Sequence, residues 1–129
     1  MSNIYLAARF GRWPEMQERA AELTSLGHTV VSTWHSHAHL TKHGDHDLIP
    51  TDQQAALWAH QDLTDLMKSQ VLISFTEDPR NDSRGGRHVE FGAALMRNME
   101  CVIIGPREHV FHYLPSIRVY DHWSDFIQA

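Results

Sequence analysis

Three short apolar runs constrain this chain more than any other feature: Ile4-Tyr5-Leu6-Ala7-Ala8, Val71-Leu72-Ile73-Ser74-Phe75 and Cys101-Val102-Ile103-Ile104. Longer segments with helical spacing of apolar residues lie between them. A continuous short apolar run suits a strand buried on both faces, and strands of that kind alternating with helices predict a parallel sheet covered by helices.

Turn and cap residues place the remaining elements. Pro14 sits where a first helix can begin, Met16, Ala20, Leu23 and Leu26 supply its stripe, and Gly27 ends it. His28–Trp34 reads as a second strand. Thr51 or Asp52 caps a second helix whose Ala55, Ala59, Leu63, Leu66 and Met67 fall at helical spacing. A polar loop spans Thr76–Gly86, a third helix runs from about Arg87 to Arg97, and the fourth strand covers Cys101–Gly105. A short fifth strand covers Ile117–Tyr120, and Asp121–Ile127 forms a terminal helical piece. The expected fold is a doubly wound α/β domain of flavodoxin-like, Rossmann-like type with a mostly parallel five-stranded sheet. The 129 residues suffice for one hydrophobic core, so residues 1–129 are expected to form a single domain.

Composition narrows the partners. A formal charge of -5 argues against binding a nucleic-acid polymer and leaves room for one local basic pocket. The N-terminus has no basic region followed by an apolar stretch, and no apolar run approaches the ~20 residues that span a bilayer. A soluble, cytoplasmic protein without a membrane partner is expected. The single cysteine, Cys101, lies inside an apolar run and reads as a small buried hydrophobe.

Chemistry concentrates in Arg84-Gly85-Gly86-Arg87-His88-Val89-Glu90-Phe91-Gly92. This stretch joins a strand to a helix at the carboxyl end of the sheet, where open α/β folds bind ligands. Glu90 falls in the first turn of that helix, where free N–H groups and the helix dipole favour an ionised carboxylate. Such a group can attack an electron-poor carbon, although read alone it is more often a helix-end charge that satisfies its own backbone. Asp62 and Asp65 share a side of the second helix and lead into the strand before this loop; the alternative is a solvated acidic face. Tyr5, in the first strand, is either core or a hydroxyl that a carboxylate partners. It precedes Ala7-Ala8-Arg9, where Ala7 and Arg9 are candidate ligand contacts.

Taken together, Ile4-Tyr5-Leu6-Ala7-Ala8, Asp62-Leu63 and Gly86-x-x-x-Glu90-Phe91-Gly92 resemble the nucleoside 2-deoxyribosyltransferase family and its relatives, the nucleoside 5'-monophosphate N-glycosidases. The resemblance covers nearly the whole chain. It implies that Glu90 attacks the anomeric carbon, Asp62 handles the leaving base and Tyr5 positions the nucleophile. It also implies a homo-oligomer in which a neighbouring subunit closes each site, with Pro106–Tyr113 as a candidate donor. His88 stands where family members often have Gly. Ser83 is close to the place where the monophosphate hydrolases use a serine to hold phosphate, and Arg80, Arg84 and Arg87 surround it. Ser83, Arg84, Gly86 and Arg87 are therefore candidate substrate contacts, with a solvated basic loop as the alternative.

The expected activity is cleavage of the N-glycosidic bond of a nucleoside or nucleoside 5'-monophosphate, by hydrolysis or by transfer to another base, with no cofactor. A nucleotide-sensing module without turnover would keep the Gly-rich loop and the arginines but give Glu90 no chemical role. The segment 35–50 has no periodicity and holds His35, His37, His39, His43 and His46. Alternating histidines can converge on a metal, yet no cysteine joins them, and a loop covering the substrate is the preferred reading. Trp34 and Trp58 are candidate walls of a base pocket.

Overall fold

The computed structural model describes residues 1–37, 51–78 and 85–129. Five strands, β1 (Asn3–Ala7), β2 (Thr29–Val30), β3 (Val71–Phe75), β4 (Glu100–Ile104) and β5 (Arg118–Tyr120), form one sheet in the order β2-β1-β3-β4-β5. Every pairing is parallel. This is the doubly wound, flavodoxin-like order, and its switch point lies between β1 and β3. The helices are α1 (Trp13–Ser25), α2 (Trp34–His37), α3 (Asp52–Met67), α4 (Gly86–Met96) and α5 (Trp123–Gln128). Single turns of 3-10 helix occupy Phe10–Arg12 and Val110–Tyr113. Among the described residues, no helix is long and apolar enough to cross a membrane.

The period of two along each strand divides the core in two. Ile4, Leu6, Ile73, Phe75, Val102 and Ile104 face one way and meet Met16 and Leu23 of α1 and Trp123 of α5. Tyr5, Ala7, Leu72, Cys101 and Ile103 face the other way and meet Leu66 of α3 with Phe91 and Ala94 of α4. Burial pushes the Cys101 thiol up to about 11, as suits an inert core cysteine.

Local signals position the helices as expected. Pro14 lies in the first turn of α1, and the chain leaves α1 through Gly27 at φ 95°, where a side chain would be strained. Thr51 caps α3: its hydroxyl accepts the Gln54 N–H while the Gln54 side chain accepts the Thr51 N–H.

Two elements differ from expectation. β2 is two residues long instead of spanning His28–Trp34. The Val31 N–H still donates to Ile4 O, but beyond it side chains replace the ladder. The Leu6 N–H donates to Ser32 Oγ at 3.0 Å, and Trp34 Nε1–H donates to Leu6 O at 2.7 Å, which frees the chain to turn into α2. The stripe expected on α3 is also largely exposed. Leu66 is buried, whereas Ala55, Ala59, Leu63 and Met67 face solvent, because α3 packs on the sheet only near its C-terminus. Leu26 is likewise exposed. Of the segment 35–50, residues 35–37 belong to α2, and the rest, with His39, His43 and His46, lies outside the described residues.

Candidate active site

Tyr5 points from β1 to the α3/α4 side, fully buried, and its hydroxyl donates to a carboxylate oxygen of Glu90. Glu90 comes from α4. The helix opens at Gly86 after Gly85, which caps it at φ 87°, a conformation that favours glycine. Glu90 is therefore the fifth helical residue, beyond the first turn where the sequence reading placed it. Its electrostatics differ accordingly. Burial, not the helix end, dominates, pushing the Glu90 carboxyl up to about 8, while the Tyr5 hydrogen bond pulls it down and the charge of Asp62 raises it.

Asp62 comes from α3, and burial followed by the charge of Asp65 pushes its carboxyl up to about 6. Burial, then Glu90, then Asp62 raise the Tyr5 hydroxyl far above its usual value, so it remains a donor at neutral pH. The fold thus brings Tyr5, Asp62 and Glu90 from three elements to one place.

The two aspartates of α3 differ sharply. Asp65 Oδ2 accepts both the Thr33 hydroxyl at 2.6 Å and the Thr33 N–H at 3.2 Å. That carboxylate ties the start of α2 to α3. Among the described residues, Asp62 makes no hydrogen bond or ion pair.

The other candidates are dispersed. Ala7 is buried at the end of β1. Arg9 pairs with Glu77 at 2.9 Å, and Arg12 reaches the same carboxylate at 2.8 Å. Gly86 adjoins open space: a Cβ there would meet nothing within 4 Å. Arg87 is buried and held by both oxygens of Glu108, so the guanidinium read as a phosphate contact is already occupied. Ser83, Arg84 and Arg80 lie outside the described residues. Trp58 is exposed on α3. Trp34 touches both core clusters and has Phe10 at 6.3 Å between ring centroids. Sequence reading missed Phe10; its place just beyond β1, in Arg9-Phe10-Gly11-Arg12, was the available signal. It also missed Thr33, whose pairing with Asp65 depends on a contact 32 residues away.

No family model matches the sequence, and no curated protein matches it. Among solved structures, the chain is similar to a 2-deoxyribosyltransferase from the psychrotolerant bacterium Bacillus psychrosaccharolyticus, a biocatalyst for nucleoside synthesis. The TM-score is 0.72 at 18% identity, over 98% of this chain and 91% of that one. The likeness establishes a shared flavodoxin-like fold across the whole domain.

Proposed function

We propose that the chain is an enzyme that cleaves the N-glycosidic bond of a nucleoside or nucleoside 5'-monophosphate through Glu90. The convergence of Tyr5, Asp62 and Glu90 carries this reading. It is supported by a fold shared with a 2-deoxyribosyltransferase.

Between the Asp62 value of about 6 and the Glu90 value of about 8, the two carboxyls together hold one proton. On these values the proton rests mainly on Glu90; the reactive form is the one in which it has passed to Asp62, and the Tyr5 hydrogen bond favours the ionised Glu90 of that form. Glu90 then attacks the anomeric carbon: a bond forms from its oxygen as the bond to the base nitrogen breaks, and Asp62 gives its proton to the departing base. Water or a second base, deprotonated by Asp62, displaces Glu90 from the glycosyl-enzyme and returns the proton. Phe10 and Trp34 offer aromatic surface for a base. The reaction requires no cofactor, and residues 1–129 act as one catalytic domain in the cytoplasm.

Two finer parts of the reading concern substrate and assembly. Preference for 5'-monophosphates would rest on Ser83 and Arg84, since Glu108 occupies Arg87. A homo-oligomer is supported by the exposed Val110, Phe111 and Tyr113 in the candidate donor segment; light scattering tests it, and a fully active monomer ends it.

The deciding experiment incubates the protein with nucleosides and their 5'-monophosphates and measures released base by chromatography. Release should be accompanied by a glycosyl adduct on Glu90 in the mass spectrum. No release from any substrate overturns the function, and equal kcat/KM for a nucleoside and its monophosphate overturns the phosphate preference.

A further inference from the structure

Two residues from Glu90, and so about 200° round the helix, α4 carries His88. This ring meets His109 and His112 from the 3-10 turn after β4. His88 Nδ1 and His109 Nε2 stand 3.2 Å apart, and one ring nitrogen from each of the three histidines lies within 4.8 Å of the others. One member is enclosed and two are half-buried: His112 is 1% exposed, with Phe91 packed edge-on to it at 4.9 Å, while His88 and His109 reach partly to the surface. Two of its nitrogens, His109 Nδ1 and His112 Nε2, are buried with no hydrogen-bond partner. For His109 the partnerless atom is the far nitrogen of its ring, and its near nitrogen, Nε2, is the one that meets His88.

We propose that His88, His109 and His112 form a binding site for a divalent transition-metal ion of the zinc class, with water completing its coordination. Imidazole nitrogens are preferred donors for such ions, and three of them with an open position make a familiar zinc set. The His88–His109 separation matches the roughly 3.3 Å edge of a tetrahedron with metal–nitrogen bonds of about 2.0 Å. At present one of these two nitrogens must carry a proton for the other to accept. The cation takes that place, and the proton moves to the far nitrogen of its own ring.

His112 is the ligand that adjusts. Its Nδ1 accepts the Glu108 N–H at 3.0 Å, so the neutral ring holds its proton on Nε2. That side of the ring has no partner, leaving one tether. A turn of the ring presents Nδ1 to the cation, keeps the proton on Nε2 and transfers the Glu108 N–H to a metal-bound water. The bound ion would staple α4, which carries Glu90, to the turn after β4. The site stands independently of the proposed glycosidase chemistry.

The test uses untagged protein stripped with chelator, titrated with zinc chloride by calorimetry and with cobalt(II) by absorption spectroscopy. One equivalent per chain should bind with micromolar or tighter affinity, give the intense bands of tetrahedral cobalt, and raise the melting temperature. His88→Gln alters a partly exposed ring and should fold; it and His109→Gln should weaken binding roughly tenfold to a hundredfold and remove the thermal shift. A His39→Gln/His43→Gln variant, which disrupts the separate histidine-rich segment, should retain both. Millimolar binding, binding unchanged by His88→Gln, or loss only in the His39/His43 variant overturns the proposal. If His109→Gln fails to fold, His88→Gln decides alone.

Discussion

On the face of the sheet covered by α1 and α5, each arginine is answered by a carboxylate. Arg12 is held by Glu15 and Glu77, and Arg19 by Glu22, which also accepts the Trp123 indole N–H. A cleft of about 770 Å³ on this side is lined by Arg12, Glu15, Arg19 and Glu22 with Phe75 and Trp123, and none of Tyr5, Asp62 or Glu90 lines it. On the α3/α4 face the acids gather instead, with Asp62 and Glu90 in no ion pair among the described residues. Matched charges hold a fold together, whereas burial without a cation raises a carboxyl toward neutral pH, where it can exchange a proton in a reaction. The contrast separates a face of matched charges from the face to which we assign the chemistry.

The sharpest way to break that division is Glu90→Gln. Base release should fall by about a thousandfold or more, because the covalent intermediate is lost, and a loss of only a few-fold would sink the nucleophile assignment. Stability should move the other way. The folded carboxyl titrates near 8, above its ordinary 4.5, so wild-type stability is fully present below about pH 4.5 and declines as pH rises through about 8. Urea unfolding at pH 8 should therefore show the Gln variant to be more stable than wild type, with the difference vanishing at pH 4.

Trp123→Ala is the complementary test on the opposite face. It removes a buried ring packed 5.6 Å from Phe75 and should destabilise the protein by about 3–5 kcal/mol. The turnover of the folded fraction should stay at the wild-type value; a matching loss of kcat would join the two faces functionally.

Tyr5→Phe should reduce kcat roughly tenfold to a hundredfold. Wild-type kcat/KM should follow a bell with limbs near pH 6 and pH 8, belonging to the carboxyl pair. Without the hydroxyl, Glu90 holds its proton more tightly, so the alkaline limb should shift upward. A reduced rate on an unmoved profile would make Tyr5 packing only.

Glu22→Gln should have the smallest effect, within about 1 kcal/mol, because its pairing with Arg19 lies partly in solvent. A larger loss would mean that the matched charges of that face act as a network.

The fold was legible wherever one short stretch of chain carries its own signal. The strands β1, β3 and β4 are apolar runs, Pro14 and Gly27 bracket α1, and Thr51 with Gln54 caps α3. The α3 stripe misled because periodicity shows that a helix has an apolar side, not how much of it another element covers. The end of β2 was hidden because Ser32 and Trp34 take over a strand's hydrogen bonds with their side chains.

Strand alternation, caps and short motifs act over a few neighbouring residues, so the doubly wound domain and the candidates Tyr5, Asp62 and Glu90 could be read along the chain. Tertiary contacts set Asp62 apart from Asp65: Thr33 engages the Asp65 carboxylate, and Asp62 makes no hydrogen bond among the described residues. The tertiary structure showed likewise that Glu108 holds Arg87, and that among the described residues His88, His109 and His112 converge. The physical reason is common to all three. Burial and pairing set the charge and reactivity of a side chain, and both come from segments twenty or more residues away.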